Sequence, residues 1–286
     1  MKIAVLGLGL MGGAIALRLK GEGLDIVGWN RSPEKARDLA EQGVTTVRSA
    51  REAVQWSQVV ILVLRDVSAI TETLFSPKTG NIIKGRVVLQ MGTIAPEESR
   101  ELAKRVEVAG GEYLESPVLG SLPEAQEGRL ILMAGGERAL FERCLPVLKV
   151  LGSDPRLIGD VGQGAALKLA MNQLIAGLTA SFSLSLGLVR KEGIDVDQFM
   201  EVLRVSALYA PTFDKKLDKY LSHDYGKANF PLKHLLKDVR LFRRVAEGTG
   251  MDTAMMTTIE AACIRALGDG YGDQDYSALY EAMAPG

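Results

Sequence analysis

The residues near the start of the chain that are best suited to chemistry are three glycines with the spacing Gly-x-Gly-x-x-Gly. They lie between an apolar, strand-like run at residues 2–6 and a helix-like stretch. In this setting Gly7 permits a tight turn, Gly9 lets the backbone approach a pyrophosphate, and Gly12 allows close helix–strand packing. The free N–H groups at the helix start would bind the phosphates. The segment therefore predicts a dinucleotide site formed by Gly7, Leu8, Gly9, Leu10, Met11 and Gly12.

The second strand-like run ends at residue 29 and is followed by Asn30, Arg31 and Ser32. An NAD site usually has an acidic residue here, which binds the ribose 2′-hydroxyl. An acid would repel a 2′-phosphate, whereas Arg31 can bind one through charge-assisted hydrogen bonds. These three residues therefore predict NADP(H) as the cofactor. Two alternatives stay open: Arg31 as a solvated surface charge, and Ser32 as the N-cap of a helix that begins with Pro33.

Lys168 and Asn172 form the second set of residues that could do chemistry. Because they are four apart in a helix-like stretch, they share one helix face, and Gly164 leaves that face open one turn earlier. Lys168 is also the last charged residue before an uncharged stretch at 169–189. A lysine at the start of an apolar helix either extends its charge to solvent or has a function. The pattern alone leaves both interpretations open.

The elements that would position these residues alternate between strand and helix in the first half of the chain. Apolar or β-branched runs predict strands at 2–6, 25–29, 59–64, 86–89, 112–114 and 130–133. Helical patterns between them include 33–41, 96–109 and 138–148. This alternation predicts an α/β fold with a mostly parallel, doubly wound sheet of the Rossmann type.

From residue 162 onward the sequence has helical patterns and no convincing strand. The uncharged stretch at 169–189 raises the question of a membrane span. Its polar residues argue against one, and a long helix buried between domains or between subunits fits better. We therefore expect an NADP-binding domain at 1–161 and an all-helical domain at 162–286, with a long interdomain helix at about 162–191. Whether the protein forms a homo-oligomer stays open.

Composition narrows the class of protein. The formal net charge is −1 over 286 residues, so no excess of positive charge favours nucleic acid or an anionic membrane as a partner. Two cysteines, Cys144 and Cys263, are too few for a disulfide framework. No metal-ligand spacing is evident, and no metal is expected. A strand begins at Lys2 with no basic region before it, so a cytoplasmic enzyme is expected.

Several further motifs follow in order along the chain. They are Glu-Ser-Pro-Val-Leu-Gly-Ser at 115–121, Gly-Gln-Gly at 162–164 with Lys168 and Asn172, Asn-Phe-Pro-Leu-Lys-His at 229–234 with Lys237 and Asp238, and Gly-Asp-Gln-Asp-Tyr-Ser at 272–277. With the segments at 7–12 and 29–31, they resemble the β-hydroxyacid dehydrogenase family, which includes 3-hydroxyisobutyrate dehydrogenases. The chain is most similar to the glyoxylate/succinic semialdehyde reductase branch, and the resemblance covers essentially its whole length.

The resemblance implies that Lys168 is the general acid/base of a hydride-transfer reaction. When a nicotinamide delivers hydride to a carbonyl carbon, the carbonyl oxygen needs a proton, which a nearby lysine can supply. An unperturbed lysine has a pKa of about 10.4, so it holds that proton at neutral pH and favours reduction. Asn172 would orient the lysine or bind the substrate oxygen.

The resemblance also implies roles for residues in the loops and in the helical half. It adds Leu64, Arg65, Thr93 and Lys237 to the cofactor site. It adds Ser116, Leu119, Gly120, Ser121, Phe230 and Asp238 to the substrate site. The family usually has Ser before the threonine, where this chain has Gly92, and Ser at the position of Leu119. The second departure puts the preferred acid in doubt, although backbone N–H groups and the Ser121 hydroxyl could still bind an anion.

The function expected from the sequence is NADPH-dependent reduction of small carboxylated aldehydes, such as glyoxylate or succinic semialdehyde, or the reverse oxidation of β- or γ-hydroxyacids. One alternative is an imine reductase-like enzyme, which Leu119 keeps open and Lys168 disfavours. Another is a non-catalytic NADP(H)-binding protein, which would have no need for the pair Lys168 and Asn172. Neither His223 nor His234 is expected to be the acid/base.

Overall fold

The computed structural model describes residues 1–76 and 82–285. The chain divides into two compact units, Met1–Leu169 and Ala170–Gly286, which are described separately. Unit 1 has a mixed α/β fold built on a Rossmann-like sheet, and unit 2 is helical. The fold class expected from the alternation of strand and helix patterns is confirmed.

Unit 1 contains a sheet of eight strands, most of them parallel. The strands are β1 (Lys2–Leu6), β2 (Asp25–Trp29), β3 (Val59–Leu62), β4 (Val87–Gln90), β5 (Glu112–Glu115), β6 (Val118–Leu119), β7 (Ile131–Gly135) and β8 (Arg156–Gly159). Their order is β2-β1-β3-β4-β5-β7-β6, with β8 paired to β7. Strands β1 to β5 pair in parallel, whereas β7 runs antiparallel to both β5 and β6.

Helices cover both faces of this sheet. They are α1 (Leu10–Gly21), α2 (Pro33–Glu41), α3 (Ala50–Trp56), α4 (Val67–Leu74), α5 (Pro96–Val108), α6 (Leu122–Gln126) and α7 (Arg138–Leu151). Alternate residues of β1 enter two different cores: Ile3 and Val5 join one, and Ala4 and Leu6 join the other. A strand buried on both faces needs an almost wholly apolar sequence, which is why these runs were recognisable.

Unit 2 consists of the rest of α8, from Ala170 onward, and of the helices that follow it. The helices are α8 (Gln163–Lys191), which begins in unit 1, then α9 (Val196–Val205), α10 (Pro211–Ser222), α11 (Leu232–Gly248), α12 (Ala254–Gly268) and α13 (Leu279–Met283). Their core contains an aromatic stack in which the ring centroids of Phe182 and Phe213 lie 4.6 Å apart. By length and composition, α8 is the one helix in the described part of the chain that could cross a bilayer, and half of its most apolar window is buried.

A buried ion pair lies in unit 2 beside this core. Lys216 Nζ lies 2.8 Å and 2.7 Å from the two carboxylate oxygens of Asp275, and both residues are almost fully buried. Burial lowers the pKa of Lys216, an effect that the Asp275 charge opposes. The Asp275 carboxylate also accepts hydrogen bonds from the backbone and hydroxyl of Ser277. Within the motif at 272–277, Asp275 and Ser277 are thus internal packing residues of unit 2.

The sequence predicted six strands, and the structure has a strand at each of these places. Strand β3 ends at Leu62, two residues before the predicted end. Two further strands, β6 and β8, were not predicted. Strand β6 has only two residues, and β8 reads Arg-Leu-Ile-Gly with an alternating exposed pattern, so neither shows the buried run typical of the others.

Candidate active site

The turn after β1 has no room for side chains at two of its glycines. Gly7 has a φ of +100°, and a Cβ atom there would overlap the backbone carbonyl oxygen of Val63. A Cβ atom at Gly12 would overlap the carbonyl oxygen of Gly7 and lie 3.2 Å from the Val63 side chain. Both glycines therefore let the loop and the first turn of α1 lie directly against the end of β3.

The start of α1 faces open space. Gly9 is the N-cap residue, no side chain caps this helix end, and a Cβ atom at Gly9 would meet no atom within 4 Å. Leu10 is exposed, whereas Leu8 is buried beneath the turn. An uncapped helix start beside open space presents backbone N–H groups and a positive dipole end, which is the arrangement that binds phosphate groups.

Asn30 connects the end of β2 to this turn. Its Oδ1 accepts a hydrogen bond of 2.9 Å from the Leu8 backbone N–H, and its Nδ2 donates one of 3.1 Å to the Ser32 carbonyl oxygen. The Asn30 amide thus connects the turn after β1 to the loop after β2. Ser32 is the N-cap residue of α2, but its side chain makes no capping hydrogen bond.

Two arginines lie on exposed loops of unit 1. Arg31 is 76% exposed and pairs with Glu72 at 3.6 Å. Such an exposed pair contributes little stability, so the guanidinium group can exchange this partner for a phosphate at small cost. Arg65 bonds to Asp66 at 2.7 Å, and Asp66 caps α4 by accepting from the Ala69 N–H.

The loop after β4 comes close to the loop after β3. A Cβ atom at Gly92 would lie 2.7 Å from the Leu64 carbonyl oxygen, so a serine there would force the two loops apart. Thr93 follows and is half-buried. Gln90 lies beneath them, fully buried, with Nε2 donating to the Gly92 carbonyl oxygen at 3.4 Å. Its Oε1 has no partner among the described residues.

The segment after β5 carries the substrate residues expected from the resemblance. Ser116 is fully buried, and its hydroxyl has no partner among the described residues. Leu119 is half-buried in β6, and Gly120 has a φ of +138°, a conformation that favours glycine. The backbone N–H and hydroxyl of Ser121 both donate to Glu124 Oε2, at 2.7 Å and 2.5 Å. An anion bound by Ser121 would therefore have to displace this carboxylate.

A buried carboxylate that the sequence reasoning had not singled out lies at the start of α8. Glu115 Oε1 accepts hydrogen bonds from the backbone N–H groups of Gly162 at 2.8 Å and Ala165 at 3.1 Å. Its Oε2 accepts from the Ser99 hydroxyl. Burial raises the pKa of Glu115, which these hydrogen bonds partly offset. Lys168 follows Ala165 by three residues and is only 8% exposed.

In unit 2, Asn172, Asp238 and Lys237 form a short chain of contacts. Asn172 Nδ2 donates to Asp238 Oδ2 at 2.6 Å, and Lys237 Nζ pairs with Asp238 Oδ1 at 2.9 Å. Asn172 and Asp238 are both buried, and Asn172 Oδ1 lacks a hydrogen-bond partner within the described ranges. An amide held at one end and unpaired at the other suits a residue that accepts a hydrogen bond from a ligand.

Phe230 lies in unit 2 before α11 and is half-buried. Its ring stacks on His234 with centroids 6.4 Å apart and packs against Tyr276 at 5.8 Å. His234 is thus a packing partner of Phe230. In residues 1–76 and 82–285, no group of three or more His, Cys, Asp or Glu side chains could hold a metal ion.

The predicted site residues are divided between the two units. The set in unit 1 comprises Gly7, Leu8, Gly9, Leu10, Met11, Gly12, Asn30, Arg31, Ser32, Leu64, Arg65, Thr93, Ser116, Leu119, Gly120, Ser121 and Lys168. The set in unit 2 comprises Asn172, Phe230, Lys237 and Asp238. Glu115 and Gln90 were missed because a single polar residue at the end of an apolar strand gives no periodic signal.

Comparison with known proteins connects both halves of the chain to one group. A family model described as the NAD binding domain of 6-phosphogluconate dehydrogenase matches residues 2–162. A model described as the NAD-binding of NADP-dependent 3-hydroxyisobutyrate dehydrogenase matches residues 162–283. Glyoxylate/succinic semialdehyde reductase 1 of Arabidopsis thaliana is 33% identical over 286 residues, which span 99% of this chain and 98% of the plant protein.

Solved structures share the fold at lower sequence identity. A 3-hydroxyisobutyrate dehydrogenase from Salmonella typhimurium aligns with a TM-score of 0.86 and 24% identity, covering 98% of this chain and 99% of that one. An imine reductase from Myxococcus stipitatus in complex with NADP⁺ aligns with a TM-score of 0.69 and 21% identity, covering 99% of this chain and 100% of that one. The dehydrogenase is the better structural match of the two.

Proposed function

Since the chain belongs to the β-hydroxyacid dehydrogenase family, we propose that it reduces small semialdehydes such as glyoxylate and succinic semialdehyde with NADPH. The reverse oxidation of β- or γ-hydroxyacids is the same chemistry. An NADP(H)-dependent oxidoreductase is the general conclusion that the family models and the plant relative support. The observation that carries the specific proposal is the buried Lys168, in the second turn of α8.

Lys168 is proposed as the general acid/base. NADPH, when bound at the turn after β1, would supply the hydride for the carbonyl carbon and would become NADP⁺. The ammonium group of Lys168 gives its proton to the carbonyl oxygen as negative charge develops there, and water then restores the proton. The product is the hydroxyacid, and the same lysine accepts the hydroxyl proton in the oxidative direction.

The cofactor assignment follows from the turn after β1. Gly7 and Gly12 leave no space for a side chain, and the uncapped N-terminus of α1 suits the pyrophosphate. Arg31 and the Ser32 hydroxyl are proposed to bind the 2′-phosphate, which would explain a preference for NADP(H) over NAD(H). Leu64, Arg65, Thr93 and Lys237 are proposed as further cofactor residues by family resemblance.

The substrate assignment rests on buried polar groups that lack partners. Asn172 Oδ1 and the Ser116 hydroxyl are both in this state among the described residues, and each is proposed to bind a substrate oxygen. Asp238 would hold the Asn172 amide, and Phe230 would line the pocket. Leu119 stands where the family usually has serine, so the polar contact to the carboxylate is proposed to come from Gly120 and Ser121.

An imine reductase is the second candidate function. The observation in its favour is the fold shared with the imine reductase from Myxococcus stipitatus, together with Leu119 in place of the family's serine. Lys168 argues against it, because such enzymes generally lack this lysine. Lys168 with Asn172 also argues against a non-catalytic NADP(H)-binding protein, which needs no proton donor.

A cytoplasmic location is part of the proposal. Helix α8 has the length of a membrane span, but it carries the buried polar residues Asn172 and Ser183, and half of its most apolar window is covered by protein. A chloroplastic relative shows that the family is not confined to one compartment. The proposed binding partners are small-molecule substrates, namely carboxylated aldehydes or hydroxyacids.

The function is tested by NADPH consumption with glyoxylate, succinic semialdehyde and a cyclic imine, and by NADP⁺ reduction with 3-hydroxyisobutyrate. We expect the aldehydes to be the best substrates. Lys168→Ala should lower kcat about 10²–10⁴-fold, the usual contribution of a general acid, while the NADPH Kd changes by less than about threefold. Lys191→Ala, an exposed lysine near the end of the same helix, is the matched control and should leave kcat unchanged.

Two results would contradict the proposal. Wild-type rates in Lys168→Ala would remove the lysine from the mechanism. A preference for the cyclic imine over both aldehydes would favour the second candidate function instead.

A further inference from the structure

The carboxyl group of Glu115 connects the C-terminal end of strand β5 in unit 1 to the first turn of α8. Glu115 is the last residue of β5, paired in register with Gln90 of β4 and Gly135 of β7. Its Oε1 accepts hydrogen bonds from the N–H groups of Gly162 and Ala165. A helix start leaves four N–H groups without partners inside the helix. This buried carboxylate satisfies the donor at Ala165, within the first turn, and the preceding one at Gly162.

The helix start is closely packed around this carboxylate. A Cβ atom at Gly164 would overlap the carbonyl oxygen of Met133 in β7 and lie 3.1 Å from Glu115 Oε1. A Cβ atom at Gly135 would overlap Glu115 Oε1 itself. The first turn of α8 therefore lies directly against β7 and Glu115, without the space that a methyl group needs.

The second carboxylate oxygen of Glu115 is held as firmly as the first. The Ser99 hydroxyl donates to Oε2, and the Ser99 and Tyr113 hydroxyls lie 2.8 Å apart in a further hydrogen bond. All three side chains are buried. A carboxylate bonded at both oxygens has one orientation, so the helix start that it holds has one position relative to β5.

We propose that Glu115 is a positioning residue, which fixes the first turn of α8 and thereby places the Lys168 ammonium group for proton transfer. The inference rests on the proposed role of Lys168 as general acid. Such a group must lie within about 2.6–3.2 Å of the oxygen that it protonates. A displacement of about 1 Å can cost a factor of about 10² in rate. Ala165, which Glu115 holds, is less than one turn from Lys168.

The hydrogen bonds of Glu115, and not its charge, carry this role. A glutamine has the same shape: its amide oxygen can accept from Gly162 and Ala165, and its amide nitrogen can donate to the Ser99 hydroxyl. Glu115→Gln should therefore preserve the position of α8. Glu115→Ala removes every one of these contacts and leaves two buried N–H groups without a partner.

The experiment compares these two variants in steady-state NADPH oxidation with the best aldehyde. We expect Glu115→Ala to lower kcat about 10–100-fold, as displacement of a catalytic group does, with the NADPH Kd within about threefold of wild type. Glu115→Gln should keep kcat within about threefold. Ser57→Ala is the matched control, because it removes a buried serine hydrogen bond in unit 1 that does not involve α8, and it should leave kcat unchanged.

A double variant separates positioning of Lys168 from general damage to the site. In single-turnover reactions, Glu115→Ala combined with Lys168→Ala should be within about twofold of Lys168→Ala alone, because a residue that acts through Lys168 has nothing left to position. If Glu115→Ala does not fold, Gly164→Ala displaces the same turn while Glu115 stays, and a loss of at least about tenfold in kcat is expected.

Several outcomes would overturn the inference. They are normal kcat in Glu115→Ala, a loss in Glu115→Gln equal to that in Glu115→Ala, a full additional loss in the double variant, or unchanged kcat in Gly164→Ala when that variant is the one that folds. Failure of the proposed function is a different result, because Lys168→Ala would then keep its activity whatever the Glu115 variants do.

Discussion

The two units of the protein fix their candidate site residues by different means. In unit 1 three glycines at the candidate site lie against backbone: Cβ atoms at Gly7, Gly12 and Gly164 would each overlap a carbonyl oxygen. In unit 2 several glycines, including Gly248 and Gly268, would meet no atom within 4 Å. Unit 2 instead holds its buried polar residues through side chains, as in the pairs Lys216–Asp275 and Asn172–Asp238.

This difference follows from the chemistry that each unit is proposed to perform. Phosphate groups are bound by backbone N–H groups, so the backbone must come close to the ligand and to its own neighbours. A site that distinguishes one small acid from another needs side chains of particular shape and charge, which helices present well. Substitutions at the closely packed glycines of unit 1 should therefore act through sterics, and those at the buried polar pairs of unit 2 through unpaired polar groups.

The largest effect is expected from Lys216→Met in unit 2. This variant leaves the Asp275 carboxylate buried without its cation, and breaking such a pair typically lowers the free energy of unfolding by about 3–5 kcal/mol. Urea unfolding monitored by circular dichroism would measure the change. Lys233→Met, which breaks the exposed pair with Asp273, is the control and should cost less than about 1 kcal/mol.

The companion double variant Lys216→Met with Asp275→Asn removes both charges but keeps an acceptor for Ser277. It should recover more than half of the loss. A double variant as unstable as the single one would mean that the shape of the lysine, and not the charge of its partner, stabilises unit 2.

Gly12→Ala is expected to have the next largest effect, and it tests the steric half of the comparison. The added methyl group would overlap the Gly7 carbonyl oxygen, so the turn must open. We expect NADPH binding, measured by fluorescence titration, to weaken at least about 30-fold, which corresponds to about 2 kcal/mol. Gly268→Ala, at the end of α12, has open space and should change neither NADPH binding nor stability appreciably. Equal effects of the two variants would remove the distinction between the units.

Arg31→Ala should have the smallest effect of the three and the most selective one. A hydrogen bond to a charged group is worth about 1.5 kcal/mol at the low end, which suits this exposed side chain, so NADPH should bind about 10-fold more weakly, while NADH binding stays within about threefold. Arg37→Ala, an exposed arginine of α2, is the control. Equal losses for the two cofactors would show that Arg31 does not recognise the 2′-phosphate.

The sequence predicted the parts of the fold that leave a local pattern. The turn at 7–12 was recognisable because positions 7 and 12 have room only for glycine, which leaves a fixed spacing in the sequence. The apolar runs were recognisable because the strands are buried on both faces of the sheet. Lys168 stood out because it is the last charged residue before the uncharged stretch at 169–189, but its role came from family resemblance. Strand β6 was not predicted because its two residues are too few to show an alternating pattern. Its pairing with β7 defines it as a strand.

Contacts between distant segments could not be predicted from the sequence. Asn30 stays a predicted cofactor residue, and the sequence did not show that its amide also holds the turn at Leu8 and the loop at Ser32. Glu115 meets Gly162 and Ala165 across nearly fifty residues of chain, and nothing in its neighbourhood in the sequence announces this. In the sequence, Gly92 is only a departure from the family's serine. The structure gives a reason for glycine there, because a Cβ atom would lie too close to the Leu64 carbonyl oxygen.

The apolar character of α8 has a consequence during synthesis, because the chain is made from its N-terminus. Its buried residues Phe182 and Leu186 belong to a core that also needs Leu279 and Tyr280 of α13, about a hundred residues later. At about 5–20 residues per second, that delay is about 5–20 s. For this interval a nascent chain presents a helix of membrane-span length before the core that covers it is complete. Unit 2 is therefore the part of the protein that we expect to depend on chaperones during synthesis.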